Sequence, residues 1–189
     1  MKLRLTELAH EAVGAVLRAG DVAVDATAGN GHDTVFLAEA VGPGGLVIAV
    51  DIQSAAIHAT RERLRSAGCE QQVRLIEVCH STLADVLPRD ARLRAAMFNL
   101  GYLPGSDKQS LTSQATTVPA VIVCLEHLRP GGIVSVMAYR GHDGGKEEAE
   151  ALSHVLAELD QSCFSVEQHE SSATGPVLWL VRQHVIETT

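Results

Sequence analysis

Short, mostly apolar runs recur along the chain at residues 22–26, 46–51, 73–78, 94–100 and 133–139. Runs of this length without polar alternation suit strands covered on both faces, as in a parallel sheet. A parallel neighbour is reached only through a crossover, and crossovers are usually helical. Helical patterns do lie between most of the runs. Residues 31–41 begin just after a pair of glycines, and residues 54–67 open on Ser54 as an N-cap and stop before Gly68. Val118, Val121, Ile122, Leu125 and Leu128 form the stripe of a third helix, with Pro119 placed in its first turn. Ala149, Leu152, Val155, Leu156 and Leu159 mark a fourth.

After the fourth helix the rhythm changes. Residues 163–171 and 177–184 both look like strands, and the "SATGP" between them is too short for a crossover, which predicts an antiparallel hairpin. The expected architecture is therefore α/β: a Rossmann-like, mostly parallel, doubly wound seven-stranded sheet ending in an antiparallel hairpin. Leu5, Leu8, Ala9, Ala12, Val13, Val16 and Leu17 form one stripe, so residues 1–20 are read as an amphipathic helix packing on a single domain spanning 1–189.

Composition narrows the function. Aromatic residues are only 3% of the chain, so alanine, valine and leucine must fill the core. No apolar run reaches the roughly 18 residues of a membrane span, and the N-terminus lacks the unbroken apolar core of a secretory signal, so a cytoplasmic protein is expected. Cys69, Cys79, Cys124 and Cys163 show no metal-ligand spacing, and no metal site is expected. A net charge of −8 argues against a nonspecific nucleic-acid binder, though not against an enzyme with a local basic patch.

The candidate cofactor site is "DATAGNGHD", at the end of the first strand. In a doubly wound sheet ligands lie beyond the carboxyl ends of the strands. Gly29 and Gly31 let the chain turn tightly and approach a ligand, and the following helix offers free N–H groups. The second strand ends in Asp51, an acid able to accept both ribose hydroxyl hydrogens. NAD enzymes and S-adenosylmethionine enzymes both use that arrangement. Three features favour the second: Thr34 stands where the third glycine of a dinucleotide fingerprint would fall, Asp25 precedes the turn and could orient it or hold the cofactor's ammonium, and the chain ends in a hairpin.

The fourth strand runs into a long polar stretch, residues 98–119, rich in Gly, Pro and Ser. Its Asn99-Leu100-Gly101-Tyr102 is similar to the N-P-P-Y loop of amino-group methyltransferases, where an Asn carboxamide oxygen aligns the target amine. Methyl transfer needs an unprotonated nucleophile held in line, so positioning carries much of the catalysis. Asn99 and Tyr102 are candidates for that role; the alternative is that they cap and pack the loop. His80 follows the third strand, where adenine contacts arise. His142 follows the fifth and could take a proton from the amine or simply sit in a glycine-rich turn; Arg140 and Lys146 beside it could meet phosphates.

Together, "DATAGNGHDTVFLA", "VDIQ", "FNLGYLPGSDK" and "YRGHDGGKEE" resemble the YtqB-like family of small bacterial proteins, long labelled rRNA methylases. The resemblance spans residues 4–182 and implies a class I methyltransferase fold with S-adenosyl-L-methionine as donor. It also implies methylation of the aminomethyl nitrogen of 5-aminomethyl-2-thiouridine at the wobble position, in the anticodon region of tRNA. Carried over, cofactor contacts fall on Gly29, Asn30, Gly31 and the adjoining His32, on Asp51, Ile52 and Gln53, on His80 with Ser81, and on Asn99; Asn99 to Tyr102 face the amine. Ser106 and Arg140 stand where the family often has glycine and histidine, which bears on substrate choice. A homodimer could pool Arg61, Arg63, Arg65, Lys108 and Arg140 into one RNA footprint. The competing readings are a methyltransferase for rRNA or a small-molecule amine, a nucleotide-binding oxidoreductase, and a module that senses the cofactor without turnover.

Overall fold

A computed structural model describes residues 4–101, 112–141, 143–172 and 174–185. Seven strands form one sheet in the order β3-β2-β1-β4-β5-β7-β6. They are β1 (Val22–Asp25), β2 (Leu46–Asp51), β3 (Val73–Glu77), β4 (Leu93–Leu100), β5 (Leu128–Ala138), β6 (Phe164–Glu170) and β7 (Val177–Gln183). The first five run parallel, and β7 inserts antiparallel between β5 and β6. The helices are α1 (Leu5–Val16), α2 (His32–Val41), α3 (Ser54–Ala67), α4 (Leu83–Val86), α5 (Gln114–His127) and α6 (Gly145–Ala157).

Alternate residues of each strand feed two separate cores, as a period of two requires. Ala23, Val47, Ala49, Ala95, Met97 and Ile133 face α1, α2 and α3, which supply Val13, Leu37, Val41 and Leu64. Val24, Ile48, Ala96, Phe98, Val134 and Val136 face the other way, toward Leu83 of α4, Val121 and Leu125 of α5, and Leu152 and Leu156 of α6. Fully buried alanines in β1, β2 and β4 let helices sit close to the sheet, which is how a chain poor in aromatics closes its core. α1 belongs to no βα unit and packs over β4, β5 and β7. No helix among the described residues is long and apolar enough to cross a membrane.

Three local expectations need correction. Gln53, not Ser54, holds the N-cap position of α3, without a side-chain cap; Ser54 is the first helical residue, and its hydroxyl is drawn off to the Glu77 carboxylate on β3. α5 begins at Gln114, so Pro119 lies inside it rather than in its first turn. The apolar stripe missed that turn because its residues are polar. Between β3 and β4 there is only a 3-10 turn (His80–Thr82) and the short α4, which periodicity did not show.

The end of the sheet opposite the candidate site is tied together by Asp21, which is only 7% exposed. Its carboxylate accepts from the Arg18 backbone N–H at 2.8 Å and from Arg129 at 2.9 Å, with Arg94 at 3.4 Å. Asp21→Ala would leave two guanidinium groups without their counter-charge. The half-open Arg129 moderates the penalty, giving a loss of about 2–3 kcal/mol. A melting temperature lowered by roughly 5–10 °C in calorimetry checks this.

Candidate active site

The turn after β1 is shaped by two glycines and one acid. Gly29 has φ +52° and Gly31 has φ +78°, both in the left-handed region. A Cβ on Gly31 would also lie 2.9 Å from the Thr60 Cα of α3, so space and backbone both demand glycine there. Thr60 donates its hydroxyl to the Gly29 carbonyl at 3.0 Å, pinning the turn to α3. At the tip of β2, Asp51 accepts the Gly29 N–H on one oxygen and the Gln53 N–H on the other, both at 2.9 Å. Each carboxylate oxygen still has a lone pair for a hydroxyl donor.

Asp25 lies beneath this turn, fully buried. It accepts the Thr27 N–H at 3.1 Å and the Thr34 hydroxyl at 2.5 Å. Burial, helped by the nearby Asp33 charge, pushes its carboxyl up to about 7. Its neighbour Thr27 accepts the Asn99 backbone N–H at 2.8 Å, which locks the tip of β4 to the glycine turn.

Above these tips opens a cavity of about 800 Å³. Gly29, Asn30, His32, Asp51, Ile52, Gln53, His80 and Asn99 all line it. Asp25 and Gly31 are buried behind the wall, and Ser81 is exposed in the turn beyond His80. Tyr102, Lys108 and His142 lie outside the described residues. The cavity also takes in Thr27, Asp33, Thr112, Thr116 and Tyr139, which the sequence reading did not single out. Position alone could have flagged Tyr139 at the end of β5 and Asp33 beside the glycines; nothing local marked Thr112 or Thr116.

His80 is buried, which pushes its imidazole below the ordinary value and favours the neutral ring. Its Nε2 lies 3.3 Å from the Thr117 hydroxyl, which donates to Glu148 at 2.6 Å; Thr112 donates to the other Glu148 oxygen at 2.9 Å. Glu148, fully buried on α6, thus fixes the start of α5 beside His80.

The arginines considered for RNA are largely engaged. Arg140 donates to the carbonyls of Gly175 and Ser172 and to Glu170, so it clasps the β6–β7 turn, whose Thr174 and Pro176 border the cavity. Arg63 donates to the Asn30 carbonyl at 2.6 Å, and Arg65 pairs with Glu62 and Glu70. Lys146 sits 3.6 Å from Glu150 on the exposed face of α6.

The sheet order with its antiparallel seventh strand, and a glycine turn opening on a cavity at the strand tips, define the Rossmann-like fold of class I methyltransferases. A family model described as "Putative rRNA methylase" matches residues 47–181, and the chain belongs to that family. It is similar to the "putative rRNA-methylase" of Clostridium thermocellum, with 36% identity, 97% of this chain and 98% of that one covered, and a TM-score of 0.91. It is also similar to SMU.1697c of Streptococcus mutans, solved in complex with SAH, with 36% identity, 97% and 99% coverage, and a TM-score of 0.88. Among curated proteins, the chloroplastic tRNA (mnm(5)s(2)U34)-methyltransferase of Arabidopsis thaliana is 41% identical over 79% of this chain. The matched stretch spans 57% of that relative's length.

The buried Asp25 has a consequence for stability. A carboxyl whose folded value, about 7, exceeds its ordinary 3.8 binds its proton more tightly in the folded chain. Its contribution is therefore full at low pH and is lost as pH rises through the folded value. Asp25→Asn stays neutral at every pH, so the wild type should lose stability relative to it between about pH 4 and pH 7 and run parallel above. Urea unfolding of both proteins across that range checks the slope.

Proposed function

We propose that the protein is an S-adenosylmethionine-dependent N-methyltransferase acting on the aminomethyl nitrogen of 5-aminomethyl-2-thiouridine at the tRNA wobble position. One observation carries the reading: the glycine turn with Asp51 and the Asn99 tip line the same cavity, joined through Thr27. The tRNA substrate follows the activity in the Arabidopsis relative's name, and the donor follows the SAH complex of SMU.1697c. Such a substrate makes the cytoplasm the proposed location.

The residues fit the donor. A concave cavity of about 800 Å³ is of the size that small cofactors occupy. Asp51 offers spare lone pairs to ribose hydroxyls, and Ile52, 58% exposed at the lip, offers an apolar face to a purine. The turn amides and the start of α2 favour a carboxylate. The donor supplies an electrophilic methyl carbon whose leaving group is neutral and needs no acid. The protein's task is then to hold an unprotonated amine close and in line. Asn99 is placed for this: its backbone is fixed to Thr27, so its carboxamide leaves the β4 tip in a set direction.

The deciding experiment is mass spectrometry of tRNA nucleosides from cells with and without the gene. Loss of the gene should accumulate the 5-aminomethyl nucleoside at the expense of its methylated product; an unchanged profile overturns the reading. Labelled methyl entering rRNA or a small amine instead would redirect it. For the purified protein, Asp51→Ala should weaken donor binding in calorimetry by about 1.5–3 kcal/mol, roughly one to two orders of magnitude. Asn99→Ala should lower turnover much more than donor affinity; equal losses would move Asn99 to the donor side.

A further inference from the structure

Among the described residues, the acids that line the cavity are Asp51 and Asp33, and the reading above gives a task only to Asp51. Asp33 lies in the first turn of α2 and borders the cavity, and its side chain is 15% exposed. One carboxylate oxygen, Oδ1, lies 2.6 Å from His10 Nε2. An ionised carboxylate only accepts, so Nε2 carries the proton and donates it. His10 arrives from α1, and its ring stacks flat on Phe36 of α2, with centroids 4.2 Å apart and planes 3° from parallel. That stacking fixes the plane of the imidazole and hence the direction of its N–H. The second oxygen, Oδ2, has no hydrogen-bond partner among the described residues.

The location matters as much as the contact. A second, smaller pocket is bordered by His10, Asp33 and Asn99 together, so the pair lies near the amine-aligning candidate. The same pocket is bordered by Met97 and Phe98 of β4 and by Ser135 and Met137 of β5, which places Asp33 beside those two strands; burial raises the Tyr139 phenol, and the Asp33 charge adds to it.

We propose that Asp33, aimed by His10, is the second acceptor for the reacting amine and the counter-charge for the cation that forms on it. This rests on the reading of the protein as an amine methyltransferase. A neutral primary amine has two N–H bonds and one lone pair. With one N–H given to the Asn99 carboxamide oxygen and the other to Asp33 Oδ2, only the lone pair is left to point at the methyl carbon. The lone pair becomes the new N–C bond, and the electrons of the old C–S bond stay on sulfur. The positive charge moves to nitrogen, where a fixed carboxylate stabilises it. The product is a secondary ammonium, which afterwards gives one proton to water. Asp33 touches the substrate in this scheme; His10 is a positioning residue.

The test uses the full chain, S-adenosylmethionine and tRNA carrying 5-aminomethyl-2-thiouridine, with kcat, KM and donor Kd measured for each variant. Asp33→Asn keeps the shape and removes the charge. Its kcat should fall about 100-fold while donor Kd, which also reports folding, stays near the wild-type value. His10→Ala should lower kcat about tenfold, and His10→Gln, which keeps an N–H near the Nε2 position, should restore most of it. Wild-type kcat in Asp33→Asn overturns the proposal, as does a loss of donor affinity matching the loss of turnover. Equal damage in the two His10 variants removes His10 from it. A wild-type protein that leaves this tRNA unmethylated overturns the substrate reading itself, a result separable from all of these.

Discussion

The candidate site is organised by a hydrogen bond between elements far apart in sequence: the Gly29 N–H given to the Asp51 carboxylate. An ionised acceptor makes such a bond short and strong. It joins the tip of β2 to the turn that follows β1, so the β1–β2 register and the turn conformation support each other. Thr60 repeats the tie from α3, and Thr27 extends it to the β4 tip. The turn at the foot of the cavity is therefore set by backbone groups and short polar side chains on rigid elements. Long flexible side chains would hold a reacting geometry less closely.

Much of this architecture is legible in the sequence, for physical reasons. The doubly covered strands announce themselves as unbroken apolar runs, and a five-residue linker leaves the last two strands no choice but to pair antiparallel. The turn glycines are legible because few residues tolerate φ of +78°, and Asp51 because it closes the apolar run that follows them. The start of α5 was hidden because Gln114, Thr116 and Thr117 carry an amide and hydroxyls where periodicity looks for apolar side chains. The Thr117 hydroxyl serves the Glu148 network, a long-range arrangement that no local pattern encodes. The link from His10 to Asp33 was invisible for the same reason. Its partners are brought together only when α1 lies across the sheet.

Buried Glu148 also shows how the two sides of the cavity are made separately. The β1–β2 side relies on backbone N–H donors, whereas the His80 side relies on a chain of hydroxyls ending in a carboxylate that forms no ion pair among the described residues. A buried acid satisfied only by hydroxyls is tolerated because each oxygen has a donor, and breaking one link would leave the next group unsatisfied. Such a network favours one arrangement of α5 and α6 over near neighbours, and with it one position for His80.

The clasp of Arg140 on the turn between β6 and β7 has a different reach. That turn borders the cavity through Thr174 and Pro176, yet it belongs to the outer margin of the sheet, the part least constrained by the central strands. Length changes there would widen or narrow the doorway for an incoming acceptor without disturbing the cradle at the first two strands. One scaffold of this kind could thus be retuned from bulky to compact acceptors by editing its last loop, while its grip on a common donor is inherited unchanged.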